Sequence, residues 1–214
     1  MGKSKILVHY TSLNNALNIL KSGKFKFSAL KDTDDIQESI LERYYPKLSC
    51  FKSCSFAKIK KESIPMWKIY GRVDNNDGVM IKFFFNSNSL YDDLFKDEEV
   101  KCSEIKYVKS NLYNRYVAGL GKGTENFEDG FAKSSCWNFE KEFRYGIYFS
   151  EAECFLKINF NALKKIQVIL FPTINSKTNQ IKKKMLKKEE LPEGLYDKIE
   201  FHKSSLLKTL KIKT

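Results

Sequence analysis

Short strand-like and helix-like segments alternate irregularly along this chain, and this order constrains the fold more than any other feature. Residues 4–11 read as a strand, a capped helix follows, and three strand-like segments come close together later, EFRYGIYFS, CFLKINF and IQVILFP. A doubly wound sheet needs a regular strand-helix-strand rhythm, which this order lacks. The sequence therefore predicts a single α+β domain.

The first strand carries His9 and leads into a helix with clear end signals. Thr11 or Ser12 can cap the helix by accepting a backbone N–H bond, and Gly23 can take the positive φ that ends it. Apolar side chains recur between these ends at helical spacing, at Leu13, Ala16, Leu17 and Leu20. Because a buried histidine is costly unless its polar atoms are satisfied, His9 either has a core partner or faces a ligand.

Lysine accounts for most of the positive charge of the chain. The net charge is +12, from 38 basic and 26 acidic residues, and only four of the 38 are Arg. Residues 151–214 hold 14 Lys and seven acidic residues, so 14 − 7 gives +7 there. A polyanionic partner such as nucleic acid and a solvated lysine surface both fit this balance. We predict a main domain over residues 1–175, with a lysine-rich helix and an edge strand over 176–214 packed on it.

The composition also indicates the cellular compartment of the protein and which cofactors it is expected to bind. No apolar run approaches the roughly 20 residues of a membrane span, so no membrane partner is expected. The five cysteines are odd in number and irregularly spaced, which favours a reducing compartment over a disulfide framework. With two histidines and no second cysteine pair, the sequence predicts no metal site and a cytoplasmic protein.

Two short segments place polar or aromatic side chains on a shared face. Ser53 and Ser55 alternate in a predicted strand and so point the same way, toward solvent or toward a polar cleft. Trp67 and Tyr70 are three apart in a predicted short helix and share a face. Such an aromatic pair packs in a core or stacks on a base or nicotinamide ring at a cleft edge.

The segment WNFEKEFRYGIYF carries the most unusual polar pattern. If its strand starts near residue 140, then Glu140, Glu142 and Arg144 point to one face. One interpretation is an exposed ladder with internal ion pairing, which contributes little stability. The other is a functional carboxylate pair beside an Arg that reads phosphate.

Spaced motifs across residues 5–175 resemble a bacterial family, the domain-of-unknown-function family 2971. Its motifs are matched in order by His-Tyr-Thr-Ser at 9–12, Met-Trp-x-x-Tyr-Gly at 66–71, Gly-Val-x-Ile-x-Phe at 78–83 and Trp-x-x-Glu-x-Glu-Phe-Arg at 137–144. The family's Asn-Asp-Pro-x-Glu motif is matched at Asp35 and Glu38, whereas Asp34 and Ile36 replace its Asn and Pro.

The same order of motifs more distantly resembles ADP-ribosyltransferases of the His-Tyr-Glu class. That resemblance implies split β-sheets flanked by helices and an enzyme of ADP-ribosyltransferase or NAD-glycohydrolase type. NAD would be its substrate, and nucleic acid or protein would be its acceptor, in conflict between bacteria and phage.

The resemblance also implies roles for individual residues. His9 would donate a hydrogen bond to a ribose hydroxyl, and Trp67 or Tyr70 would stack on the nicotinamide. Glu142 would bind the 2′-hydroxyl of the nicotinamide ribose and stabilise the developing oxocarbenium charge. Glu140 would orient the acceptor or act as general base, and Arg144 or Arg72 would hold the diphosphate. The remaining predicted NAD contacts are Tyr10, Thr11, Ser53 and Ser55.

Two other functions stay open at this stage. A non-enzymatic nucleic-acid-binding module would need clustered lysines and exposed aromatic side chains on one face. A nuclease-type effector would use Asp35, Glu38, Glu140 and Glu142 with Mg²⁺. The Asp35-x-x-Glu38 unit is also a good helix start, so this pattern alone does not favour a metal.

Overall fold

The fold is built mainly of antiparallel strands, which confirms the predicted α+β class. A computed structural model of the protein describes residues 5–44, 46–71, 78–109, 130–171 and 190–206. In chain order the described elements are β1 (Ile6–Ser12), α1 (Leu13–Ser22), β2 (Lys24–Ala29), α2 (Ile36–Tyr44), β3 (Phe51–Ala57), α3 (Ile64–Tyr70), β4 (Gly78–Phe85), β5 (Lys101–Glu104), β6 (Lys106–Val108), β7 (Ala132–Ser134), β8 (Glu142–Tyr148), β9 (Cys154–Lys157), β10 (Leu163–Leu170) and β11 (Ile199–Lys203). Within these ranges, no helix has both the length and the apolar character needed to cross a membrane.

The chain divides into two compact units, each made of segments that are distant in sequence. Unit 1 comprises residues 1–24, 58–96 and 157–214, and unit 2 comprises residues 25–57 and 97–156. The boundary predicted near residue 175 stays a prediction. The lysine-rich helix predicted before residue 190 and Arg72 lie outside the described residues.

Unit 1 contains the four strands β11-β10-β4-β1 in that order. β4 pairs antiparallel with both β1 and β10, and β11 pairs parallel with β10 at the edge. The nearly continuous apolar run of β4 is buried because the strand lies between two neighbours. The edge strand described here covers Ile199–Lys203. The edge strand predicted at the end of the chain, in the LLKTLKIK segment, falls outside the described residues apart from its first residue.

The predicted ends of α1 are confirmed. The Ser12 side chain accepts a hydrogen bond from the backbone N–H of Asn15, and Gly23 takes a φ of 64°. Its buried side chains are Ala16, Ile19 and Leu20, so Ile19 replaces the predicted Leu17 at the centre of the packed face. Helix caps depend on local chemistry, which is why they were predictable.

Unit 2 contains the strands β5-β8-β3-β2-β9, together with the parallel pair β6-β7. β8 lies between β5 and β3 and is antiparallel to both. This register places Arg144 directly opposite Ser55 on β3 and Ser103 on β5. Two small side chains therefore flank the long guanidinium side chain at the centre of the sheet.

Candidate active site

Unit 2 buries a set of charged side chains. Burying any one of them alone, without a partner of opposite charge, would be unfavourable. None of them is more than 4% exposed to solvent. They are Asp35, Glu38, Lys133, Glu140, Glu142 and Arg144. Charged groups of this kind persist in an interior only when they pair and form hydrogen bonds. We refer to these six residues as the buried ion cluster.

Arg144 is the centre of the buried ion cluster. Its Nε donates to Oε1 of Glu142 at 2.6 Å, and its Nη1 donates to Oε1 of Glu38 at 2.5 Å. Nη1 also donates to the backbone oxygen of Gly130 at 2.7 Å. A planar guanidinium suits this role because its N–H groups point outward in a fixed fork. Arg144 thus joins two carboxylates that are 104 residues apart in sequence.

Glu142 uses both of its carboxylate oxygens. Its Oε1 also accepts a hydrogen bond of 2.5 Å from the Ser55 hydroxyl, and its Oε2 lies 3.4 Å from Nζ of Lys133. Lys133 donates in turn to Oε2 of Glu140 at 2.7 Å. The backbone N–H of Glu142 donates to the Tyr107 hydroxyl at 2.8 Å, so the start of β8 is also fixed. The Glu142 carboxylate is therefore held rigidly.

The two glutamates that share Arg144 have pKa values that are shifted in opposite directions. Burial opposes ionisation of Glu142, but the charges of Arg144 and Lys133 outweigh it and lower its pKa to about 2. Burial outweighs the same attraction at Glu38 and raises its pKa above the ordinary value. Glu142 is consequently anionic at neutral pH, whereas Glu38 holds a proton more readily than a carboxyl group in water.

Glu140 reaches the cluster by a different route from the one predicted. It ends a short 3₁₀ helix that spans Ser135–Glu140, and Lys141 then takes a φ of 48° before β8 begins. Glu140 is therefore not part of the strand face that carries Glu142 and Arg144. All three side chains are buried, so the alternative of an exposed ion-pair ladder is wrong.

The two motifs that carry the charged part of the family resemblance meet in this cluster. Glu38 belongs to the Asp-x-x-Glu unit, and Glu142 and Arg144 belong to the late Glu-x-Glu-Phe-Arg unit. Their contact through Arg144 spans 106 residues of sequence. The motifs are thus parts of one site in unit 2.

Five of the other predicted residues lie in the described part of unit 1, and they are His9, Tyr10, Thr11, Trp67 and Tyr70. Tyr10 is 5% exposed, its hydroxyl accepts from the backbone N–H of Ser63, and its ring meets that of Trp67 edge to face at 5.0 Å. Burial is also the main reason that the pKa of Tyr10 rises to about 12. Trp67 is 1% exposed and also contacts Phe171. His9 and Tyr70 are only half-buried.

Two of the predicted NAD contacts, those of Arg144 and Trp67, are wrong. Arg144 cannot hold a diphosphate, since its guanidinium already binds Glu38, Glu142 and Gly130 in the interior. Trp67 cannot stack on nicotinamide because it is 1% exposed and its ring packs edge to face against Tyr10 and Phe171. Tyr10, Thr11 and Ser53 are also buried, and the contacts predicted for them stay predictions.

Ser55 keeps its predicted position at a surface. It is exposed, whereas Ser53, two residues earlier on the same strand, is buried opposite Gly146. The Ser55 hydroxyl thus connects the exposed side of β3 directly to the Glu142 carboxylate. The ligand contacts predicted for His9, Tyr70 and Ser55 stay predictions.

The sequence did not identify Lys133 and Tyr107 as site residues. Lys133 is one of 34 lysines in a chain with abundant lysine, so no composition signal distinguishes it. Glu38 was considered only as a helix start or a metal ligand. Among the described residues, no group of three or more His, Cys, Asp or Glu side chains is arranged to hold a metal ion.

No protein-family model, curated protein or solved structure matches this chain. The resemblance of its motifs to family 2971 and to ADP-ribosyltransferases therefore stays a prediction.

Proposed function

We propose that this protein cleaves NAD⁺ and transfers ADP-ribose, with Glu142 as the catalytic carboxylate. The observation that supports this proposal is the state of Glu142. Its carboxylate is fixed by Arg144 and Lys133, its pKa is lowered to about 2, and the hydroxyl of Ser55, an exposed residue, donates a hydrogen bond to it.

The proposed reaction breaks the bond between C1′ of the ribose and the nicotinamide nitrogen. The electron pair of that bond leaves with nicotinamide, which departs as a neutral molecule, and positive charge develops on the ribose ring. C1′ then bonds to an acceptor oxygen or nitrogen, whose proton passes to a base or to water. A fixed anion beside the ring stabilises the transition state more than the ground state, which is the requirement for catalysis.

Glu142 meets the two conditions that this role imposes. It is ionised at every pH at which the protein would work, because its pKa lies far below neutrality. It is also preorganised by four side-chain and backbone contacts, so its position does not have to change as charge develops. Removing a preorganised electrostatic contact of this kind typically slows a reaction by about 10²–10³-fold.

The sheet of unit 2 supports the proposed ADP-ribosyltransferase-like arrangement. The serine-bearing strand β3 and the glutamate-bearing strand β8 are direct neighbours, with Ser55 opposite Arg144. A ligand on the exposed side of Ser55 would lie one hydrogen bond from Glu142. The split-sheet fold of that class remains part of this proposal.

The roles of the other residues follow from their accessibility. His9 and Tyr70 are half-buried residues of unit 1, and the ligand contacts of these two residues stay predictions. Glu140 is held by Lys133 at 2.7 Å, and its role as general base stays a prediction. The net charge of +12 supports nucleic acid as the acceptor.

Calorimetry with NAD⁺ tests the proposed ligand. We expect wild-type protein to bind NAD⁺ with a dissociation constant between about 1 μM and 1 mM, the usual range for enzyme substrates. Ser55→Ala should weaken binding. Ser103→Ala is the matched control, because Ser103 also lies opposite Arg144 but donates to the Glu104 backbone oxygen instead of to Glu142.

Two results would contradict the proposal. One is the absence of binding by folded wild-type protein at millimolar NAD⁺. The other is equal loss of binding in Ser55→Ala and Ser103→Ala, which would show that the contact with Glu142 does not matter.

A further inference from the structure

Lys133 contacts both glutamates of the late Glu-x-Glu-Phe-Arg unit. Its Nζ donates to Oε2 of Glu140 at 2.7 Å and lies 3.4 Å from Oε2 of Glu142. The two oxygens therefore lie within about 6 Å of each other, a range in which like charges favour a shared proton. All three side chains are buried, so salt and water screen these charges poorly.

The Lys133 ammonium group also contacts an aromatic ring. Its Nζ lies 4.6 Å from the centroid of the Trp137 ring, a distance at which an indole attracts a cation. An ammonium group has three N–H donors, and here two carboxylates and one ring surround it. Trp137 and Glu140 lie on the same 3₁₀ helix, Ser135–Glu140, so one short segment supplies two of these three contacts.

The charge on Lys133 persists despite its burial. Burial opposes this charge, but the carboxylates of Glu142, Glu38 and Glu140 outweigh burial and raise the pKa of Lys133. Lys133 is therefore a cation at neutral pH. The other titratable groups around Glu140 and Glu142 come from four elements, and they are Glu38 on α2, Cys54 on β3, Tyr107 on β6 and Arg144 on β8.

We propose that Lys133 is a positioning residue of the transferase site, and that its ammonium group holds Glu140 and Glu142 side by side as two separate anions. This inference rests on the proposed function. The reaction needs an anion beside the ribose and a group that takes the proton of the acceptor. Without a cation between them, two neighbouring carboxylates share one proton, which would reduce the negative charge beside the ribose.

Carbon-13 NMR of protein labelled at the glutamate carboxyl carbons tests the proposal without NAD⁺. In wild type, Glu142 should stay ionised down to about pH 2. In Lys133→Met, the pair of Glu140 and Glu142 should take up one proton at least about one pH unit higher, because a nearby cation lowers the pKa of a carboxyl group by about 1–3. Lys106→Met is the matched control, since Lys106 is exposed on β6, the strand beside β7, and should keep the wild-type titration.

The pH dependence of nicotinamide release separates a positioning role from a purely structural one. In Lys133→Met, the acidic limb of this profile should move upward together with the NMR titration, whereas KM for NAD⁺ should stay near the wild-type value because Lys133 is buried. A moved NMR titration with an unmoved release profile would overturn the positioning role. An unmoved NMR titration with normal release would overturn the role of Lys133 alone, whereas no release by wild type would contradict the proposed function.

A double variant keeps the proposal testable if Lys133→Met does not fold. Removing Lys133 alone leaves buried carboxylates without their cation, which is strongly destabilising. Adding Glu140→Gln removes one negative charge as well, so the double variant should fold. Folding of the double variant alone would support the proposal, because it would show that Lys133 offsets the charge of Glu140. Failure of both variants to fold would overturn it.

Discussion

At the scale of single residues, the burial of Arg144 carries a large desolvation cost. Its guanidinium is 1% exposed and depends on two glutamates and a backbone carbonyl for its hydrogen bonds. Replacing a buried ion pair by apolar side chains is often neutral or even stabilising, so the buried ion cluster is not explained by stability alone. A functional role for Glu142 gives a reason for its presence.

The lowered pKa of Glu142 predicts how stability depends on pH. A carboxyl group with a pKa lowered from 4.5 to about 2 in the folded state adds stability above pH 4.5 and loses it as the pH falls toward 2. This contribution is worth about 3 kcal/mol. Glu38 acts in the opposite sense, because its raised pKa adds stability at low pH and loses it as the pH rises.

We therefore expect Glu142→Gln to flatten the fall in the free energy of unfolding between about pH 5 and pH 2. Urea titrations of both proteins across this range would measure it. Glu104→Gln, an exposed site on β5, should keep the wild-type slope. If Glu142→Gln kept that slope as well, then Glu142 would not be the ionised, stabilised carboxylate described above.

Residue patterns predicted only part of the site. Glu140 reaches the cluster from a 3₁₀ helix, but Glu142 and Arg144 were predicted on one face because strand alternation is local information. Lys133 was not predicted, because only the folded positions of β7 and of the turn at Lys141 bring it to its partners Glu140 and Glu142. The burial of Arg144 depends on Glu38, which lies 106 residues away, and no short-range pattern contains that contact.

At the scale of elements, α2 exposes apolar side chains and buries a charged one. Ile36 and Ile40 are exposed, at 73% and 36%. Glu38 points inward instead, because Arg144 offers it an ion pair. Helix propensity and capping residues predict that a helix forms here. The side chains that the helix contacts in the folded protein decide which of its sides is buried.

The packing of β8 against Phe51 predicts the effect of a single added methyl group. A Cβ atom at Gly146 would lie 2.4 Å from Cζ of the Phe51 ring. That ring is fully buried and meets Phe131 and Tyr148 edge to face, so it has little room to move. We expect Gly146→Ala to reduce the free energy of unfolding by about 1–3 kcal/mol.

Denaturant unfolding would measure this change, and the double variant with Phe51→Leu provides the control. The smaller side chain should make the cost of Gly146→Ala lower than in the wild-type background. An unchanged cost would show that Phe51 is not the source of the clash.

At the scale of the whole molecule, segments distant in sequence are held together by specific contacts within each unit. In unit 1, the Glu62 carboxylate accepts hydrogen bonds from Trp67 Nε1, from the Ser204 hydroxyl and from the backbone and hydroxyl of Ser205. Glu62 thus fixes the end of the described chain beside α3. No sequence pattern predicted this role, because the contact to Ser205 spans 143 residues.

Glu62→Ala should loosen the segment that follows β11. Each hydrogen bond to a charged group contributes about 1.5–3 kcal/mol, so loss of even one corresponds to roughly tenfold faster local opening. Hydrogen exchange followed by mass spectrometry should show this increase in peptides covering residues 199–206. Glu193→Ala, an exposed site in the same region, should leave exchange unchanged. Equal exchange in wild type and Glu62→Ala would contradict the anchoring role.

The central claim is that Glu142 stabilises charge while the bond between ribose and nicotinamide breaks. Release of nicotinamide from NAD⁺, measured by chromatography with nucleic acid and cell protein supplied as acceptors, tests it most directly. We predict release by wild type and a loss of at least about 10²-fold in Glu142→Gln, with NAD⁺ binding retained. No release by folded wild-type protein that binds NAD⁺, or equal release by Glu142→Gln, would contradict the claim.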